Sequence, residues 1–500
     1  MNVGRSTLGF AAGVLLVVLA AIGYMLSPPA FDPPPLAASP EFRNLPAQPA
    51  SETRPVATTT PIRTEHVKVA ARNETLTATI RSPTTPGRHP AMVFVQGSGS
   101  GSGSEFTTQS EWLAKAGIVT LSYDKRTVGY NFRQRDFSLL ADDALRMLHT
   151  LLQRPDVDPA KAGLWGVSEG GWVVPIAAAS SDVAYVVLVS SPNVSPLRQV
   201  AWALNEQLQR LHAPSGVRDL LTRAMGGVGF DFLRHDGVPA LQGMKQPVLA
   251  LYGTTDPSIP FVESTETLTS ALHTAGNPDY TIRFLAGADH AMRMTGGPFV
   301  PDYLPTLANW IRDLPRTAKP SVPIAGATPV QRFEASDVPA APWYGGATIL
   351  WLTICLAAVG YVAAPVTEMV VRIRGRDTRL QAPVEPAADI WPAVRRRLRR
   401  MAWTGLGGFA AVLAFITLIV LFSVNQAGAW PAVQAGWLVV RLLAVVMLLQ
   451  EVAAAAAVLS GLRDGWEPTR WQKSVLIGVL GGTGLLLLTA AYYGLYAFPW

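Results

Sequence analysis

Five apolar runs divide this chain between two solvents. The first, Leu8 to Leu26, carries no charge and is followed by the proline-rich stretch Ser27–Pro35. The other four fall at approximately Tyr344–Val366, Thr404–Val424, Ala435–Leu459 and Ser474–Leu495. About twenty consecutive apolar residues suffice for a helix to cross ~30 Å of hydrocarbon, so each run reads as a transmembrane helix. From Phe31 to about Pro342 the chain instead has the charges, turns and mixed periodicity of water-facing protein. A cleaved leader would have a shorter apolar core ending in a small-x-small site. The first run therefore reads as an uncleaved anchor, and with either processing the segment behind it is exported.

Charge sets the orientation. The net charge of +6 divides unevenly, with 27 Lys+Arg against 28 Asp+Glu between Ser27 and Pro342 and 14 against 7 elsewhere. The soluble region thus lacks the basic excess that nucleic-acid binding requires. The loop Thr367–Trp403 carries nine arginines, among them Arg372, Arg374, Arg376 and the cluster Arg395, Arg396, Arg397, Arg399, Arg400. Gly461–Lys473 adds Arg463, Arg470 and Lys473, whereas Asn425–Gln434 has no charge. Basic loops stay cytoplasmic. The expectation is a multi-pass protein of a bacterial inner membrane, N-terminus inside and soluble domain outside. Arg441, Gln450 and Glu451 in the fourth span either snorkel to the two interfaces or mark an intramembrane role. The single cysteine, Cys355, lies in an apolar run and excludes a disulfide or cysteine-based metal site. No metal or organic cofactor is implied, and the oligomeric state is not encoded legibly.

Within the soluble region, short β-branched runs alternate with amphipathic stretches. Predicted strands are His66–Ala70, Thr75–Ile80, Ala91–Val95, Ile118–Tyr123, Ala162–Trp165, Ala184–Val189, Pro247–Tyr252 and Thr281–Phe284. Predicted helices are Glu111–Ala116, Leu139–Leu152, Trp172–Ala179, Glu263–His273 and Tyr303–Leu314. This alternation gives an α/β class with a mostly parallel sheet covered on both faces. The expected divisions are an anchor (1–30), a proline-rich linker (31–62), an α/β domain (63–315), a second linker (316–343) and a membrane region (344–500). A small helical cap, about 192–246, would sit over the carboxyl edge of the sheet, where such folds bind ligands.

Gly166-Val167-Ser168-Glu169-Gly170 follows a strand and opens a helix, the context of a nucleophile elbow whose tight turn needs small flanking residues. A serine hydroxyl needs a base, and the base an orienting carboxylate. Asp256 follows one later strand and His290 the next, in the chain order Ser, acid, His. Asp289 is an alternative acid, poorly placed because it adjoins His290. An oxyanion needs backbone N–H donors; the Glu169 N–H is one candidate, and that of Ser98 or Gly97, in the turn after Ala91–Val95, the other. Ser100–Ser104 continues that turn and admits a reading as a flexible insert.

These motifs resemble the α/β-hydrolase superfamily, with the dienelactone hydrolase and prolyl-oligopeptidase-like branches the nearest in look. The resemblance rests on Val93–Gly99, Tyr123-Asp124-Lys125-Arg126, Gly163–Gly171 and the Asp256 and His290 turns, and covers about Thr64 to Leu314. It implies a triad of Ser168, Asp256 and His290, oxyanion donors at Ser98 and Glu169, and a structural ion network at Asp124–Arg126. Gln96 stands where many lipases and esterases carry histidine, which weakens a lipase analogy. The implied activity is hydrolysis of a small-molecule or lipid carboxylic ester by an acyl-serine route. An aminopeptidase or other amide hydrolase, a membrane-surface acyltransferase, and a non-catalytic membrane-complex subunit are the alternatives.

Overall fold

The computed structural model describes residues 5–36, 42, 44–99, 101–374, 390–425 and 430–498. They form two compact units. One comprises Pro33–Glu206 and Phe230–Asp337; the other comprises Met1–Asp32, Gln207–Gly229 and Val338–Trp500.

The first unit is built on a nine-stranded sheet in the order β1-β2-β4-β3-β5-β6-β7-β8-β9. Strands β1 (Ile62–Ala71) and β2 (Glu74–Pro83) run antiparallel to each other, and β2 antiparallel to β4 (Val119–Tyr123). From β4 onward all pairs are parallel: β3 (His89–Val95), β5 (Val157–Val167), β6 (Val186–Val189), β7 (Val248–Gly253), β8 (Tyr280–Leu285) and β9 (Ile324–Gly326). The central strands are apolar on both faces because side chains alternate with period two. Val93, Leu164, Leu188 and Ala250 belong to one core layer; Phe94, Trp165, Val187 and Leu249 belong to the other.

Helices cover both faces. Thr107–Lys115 and Tyr303–Arg312 supply Leu113, Leu307, Trp310 and Ile311 to one layer. Phe137–Leu152, Gly170–Ala177 and Phe261–Thr274 supply Leu140, Met147, Leu151, Val173 and Leu268 to the other. Burying each large side chain contributes about 1.5–3 kcal/mol before entropy is subtracted. The helix Phe137–Leu152 starts where Asp136 accepts a hydrogen bond from the Leu139 N–H, satisfying one of the four orphan donors at a helix start.

Two expectations need correction here. The segments taken as linkers are packed onto the sheet-bearing unit. Glu52 forms a bidentate pair with buried Arg283, both N···O distances 2.6 Å. Glu263 accepts hydrogen bonds from Gln331 at 2.5 Å and the Ala335 N–H at 2.6 Å, and Ile324–Gly326 adds the edge strand β9. The cap is also divided: Pro196–Arg210 crosses the boundary between units, and Ser215–Gly227 lies wholly in the second.

The second unit contains α1 (Arg5–Leu26), that helix Ser215–Gly227, and four C-terminal helices, Ala347–Arg374, Trp391–Asn425, Trp430–Arg463 and Arg470–Tyr492. Among the described residues four helices are long and apolar enough to cross a membrane: Ser6–Leu26, Trp391–Ile419, Pro431–Arg463 and Arg470–Tyr492. The apolar stretch Ala347–Val362, within the second expected span, is shorter. Arg395–Arg400 lies in the opening turns of a helix and not in a loop. Trp391, Val394, Leu398 and Met401, at helical spacing, are buried, while Arg396, Arg397, Arg399 and Arg400 are exposed. Arg376, the remaining loop to 389 and residues 426–429 lie outside the described residues.

One end of the helix bundle is pinned by hydrogen bonds from Ser27 Oγ to the Tyr492 carbonyl (2.7 Å) and from the Tyr344 hydroxyl to the Leu26 carbonyl (3.0 Å). The C-terminal ends of the first and last helices therefore share a face. Arg441 donates to the Leu495 carbonyl at 2.9 Å and to the Ala497 carbonyl at 2.5 Å, so its guanidinium serves backbone groups of the C-terminal turn.

Candidate active site

The sheet delivers the candidate residues to one edge. Ser168 sits between the end of β5 and the helix starting at Gly170, with φ +54°, a left-handed conformation strained for a side-chain-bearing residue. The turn is closed by neighbours that tolerate no side chain. A Cβ at Gly166 would lie 2.5 Å from the Gly170 carbonyl oxygen, and one at Gly170 would lie 2.6 Å from that of Val95. The Ser168 N–H donates to the Val189 carbonyl, 3.1 Å, holding the elbow against β6.

Asp256 follows β7 and His290 follows β8. Thr255 stitches their loops together, its N–H and hydroxyl both donating to the Ala288 carbonyl at 3.0 and 2.8 Å. Asp256 is buried; its Oδ2 lies 2.8 Å from His290 Nδ1, and its Oδ1 accepts from the Ser258 N–H at 2.7 Å. A carboxylate only accepts, so Nδ1 carries the proton and Nε2 remains the basic nitrogen. Ser190, at the end of β6, donates its hydroxyl to the His290 carbonyl at 3.0 Å and fixes the loop. Asp289 is spent otherwise: its Oδ1 accepts from the Ala291 and Arg293 N–H groups, each at 2.9 Å. Burial disfavours charge on His290, but Asp256, with a smaller contribution from Asp289, outweighs it and raises the imidazole above its ordinary pKa.

Among the described residues no hydrogen bond joins Ser168 Oγ to His290; such contacts tighten in the substrate complex. The turn bearing Gly97 and Ser98 stands beside the serine, since a Cβ at Gly97 would be 3.2 Å from Ser168 Cβ. Among the described residues no group of three or more His, Cys, Asp or Glu is arranged to hold a metal.

A model of the prolyl oligopeptidase family matches residues 104–312, a span that includes Ser168, Asp256 and His290. With the sheet order and the elbow, that match gives the fold. The unit Pro33–Glu206 with Phe230–Asp337 has an α/β-hydrolase fold. Among solved structures, a Pyrobaculum calidifontis esterase is 20% identical, with 52% of this chain and 87% of that one covered and a TM-score of 0.39. A dienelactone hydrolase from Anabaena variabilis is 19% identical, covering 50% and 95%, with a TM-score of 0.34. An acylaminoacyl peptidase from Pyrococcus horikoshii is 16% identical, covering 51% and 41%, with a TM-score of 0.35.

Sequence reasoning read the charges after β4 as structural, and for one pair the structure agrees. Arg126 grips Asp143 through Nε and Nη2 at 2.6 and 2.9 Å, both side chains buried. Lys125 behaves differently. Its ammonium reaches Glu169 Oε1, 2.6 Å away, in the elbow itself. Tyr130 and Arg135, which sequence reasoning passed over, also hold that carboxylate, at 2.7 and 2.5 Å. The glutamate inside G-x-S-x-G was the available signal, because a charge flanking a buried turn needs a partner.

Proposed function

We propose that this α/β-hydrolase cleaves carboxylic esters through an acyl-Ser168 intermediate. The observation carrying the proposal is the 2.8 Å Asp256–His290 bond, which leaves His290 Nε2 basic at the sheet edge holding the strained Ser168. In this reading Nε2 takes the Ser168 proton as Oγ attacks the carbonyl carbon. The developing oxyanion is received by the backbone N–H groups of Glu169 and of Ser98 or Gly97. Collapse expels the alcohol, which takes the proton from His290. Water then repeats the cycle on the acyl-enzyme. Asp256 holds the tautomer and stabilises the imidazolium without itself becoming protonated.

The prolyl oligopeptidase family match favours a second reading, amide cleavage by the same residues. Full-length protein in detergent, offered p-nitrophenyl butyrate, a long-chain acyl ester and an aminoacyl p-nitroanilide, separates the two. Ester turnover well above anilide turnover is expected; the opposite order makes the chain an amidase.

We also place the catalytic unit outside a bacterial inner membrane, with lipid or small-molecule esters as substrates. The arginine-rich opening of Trp391–Asn425 supports this orientation, because basic segments stay cytoplasmic. Alkaline phosphatase, active only outside, should be active when fused after Pro320 and silent after Gln381. The reverse pattern would put catalysis in the cytoplasm.

A further inference from the structure

Resting on the acyl-serine reading, we propose that Lys125 is a positioning residue that ties the two halves of the oxyanion hole into one rigid part. All three ammonium hydrogens of Lys125 are used: on the Gly97 carbonyl at 2.6 Å, Glu169 Oε1 at 2.6 Å and the Tyr130 hydroxyl at 3.1 Å. In a trans peptide the carbonyl and the next N–H point in opposite directions. Holding the Gly97 carbonyl therefore fixes the direction of the Ser98 N–H. The far side of Ser98 is held too, because the Gly99 N–H donates to the Tyr130 hydroxyl at 3.1 Å, and that hydroxyl donates to Glu169 Oε1 at 2.7 Å. Ser98 is thus bracketed by two hydrogen-bond paths that end on one carboxylate. That carboxylate belongs to Glu169, the residue whose own N–H is the other donor.

A purely structural ion pair would not need this connectivity. Arg126–Asp143, one residue further along, is as short and as buried and touches neither donor segment. Lys125 also has little freedom to be elsewhere: its side chain is 3% exposed, and its ammonium lies 4.3 Å from the Tyr130 ring centre. Arg135 caps Glu169 Oε2 and leaves Oε1 to Lys125 and Tyr130. The cation and the carboxylate act on the reaction only through the backbone they hold.

The test uses full-length protein in detergent with p-nitrophenyl butyrate as substrate and a trifluoromethyl ketone as a tetrahedral mimic. The double variant Lys125→Met/Glu169→Gln removes both charges of the buried pair together and leaves the part-exposed Arg135 an amide oxygen to donate to. Tyr130→Phe removes the hydroxyl that joins Gly99, Lys125 and Glu169 and leaves the Lys125 bonds to Glu169 and to the Gly97 carbonyl in place. Misplacing a donor by about 1 Å costs on the order of 100-fold, so kcat of the double variant should fall about 100-fold and that of Tyr130→Phe about tenfold. KM and melting temperature should stay near wild type, while ketone affinity falls by the same factor as kcat. Wild-type kcat in both variants overturns the clamp and leaves the serine hydrolase standing. So does a loss of melting temperature and of KM with ketone affinity unchanged. A wild-type protein that neither turns over the ester nor takes a fluorophosphonate label at Ser168 removes the acyl-serine reading, and the clamp with it.

Discussion

Ser168→Ala should abolish ester hydrolysis and fluorophosphonate labelling while leaving the catalytic unit folded. Among the described residues the elbow is held by backbone hydrogen bonds, from the Ser168 N–H to the Val189 carbonyl and from the Gly171 N–H to the Ser168 carbonyl, and not by the serine hydroxyl. Its loss should therefore cost chemistry and little stability. Triad members act as a unit, and removing the nucleophile or the base alone costs on the order of a millionfold in turnover. His290→Ala should accordingly match Ser168→Ala, and the double variant should be little worse than either. Full-length protein assayed with p-nitrophenyl butyrate, and labelled in parallel, tests this directly. Retained wild-type hydrolysis and labelling in Ser168→Ala would mean that the nucleophile lies elsewhere.

Asp256→Asn should lower turnover by about ten-thousandfold, because the amide no longer enforces the tautomer with Nδ1 protonated. It should also move the acid limb of kcat/KM. Catalysis needs neutral His290, which exists above its pKa. In the wild type burial lowers that pKa, but the charge of Asp256 more than compensates, so the limb stands above the ordinary histidine value. Without the charge, burial is left opposed only by the weaker pull of Asp289, and the limb moves to lower pH. A pH profile of residual activity measures it; a limb that stays in place or rises would show that Asp256 is not the electrostatic partner.

The parts of the fold legible in the sequence are those whose period repeats. Strands β3 to β8 were readable because each carries an apolar run closed by a turn, and the elbow because glycine is the only residue its neighbours admit. Elements specified by distant partners were not readable. Ile324–Gly326 has three residues and no period, and becomes a strand only because β8 offers an edge. Glu52 looks like a linker charge until Arg283 meets it 231 positions away. The arginines at 395–400 masked an amphipathic helix whose buried side, Trp391, Val394, Leu398 and Met401, was present in the spacing. Of the candidate site, the chain order named Ser168, Asp256 and His290, and the structure joins the last two by a hydrogen bond. The role of Lys125 needed the fold, since the carbonyl it holds lies 28 positions upstream and the carboxylate 44 downstream.

The helix Ser215–Gly227 has a consequence for how this protein is made. The chain on either side of it returns to the sheet-bearing unit, yet it packs within the unit of long apolar helices. Gly216 lies so close to the Trp437 ring that an added Cβ would be 2.6 Å from it, and Arg223 donates to the Tyr492 carbonyl at 2.9 Å. Trp437 leaves the ribosome roughly 200 residues after Gly216, and at 5–20 residues per second that is a wait of about ten to forty seconds. Only in the second half of that interval, once β9 (Ile324–Gly326) has been made, are all the strands of the sheet present, and Trp437 and Tyr492, against which Ser215–Gly227 packs, do not yet exist. Synthesis therefore has a built-in order: the strands that carry Ser168, Asp256 and His290 are complete first, and the insertion finds its last partner only after the helix Arg470–Tyr492 has been made.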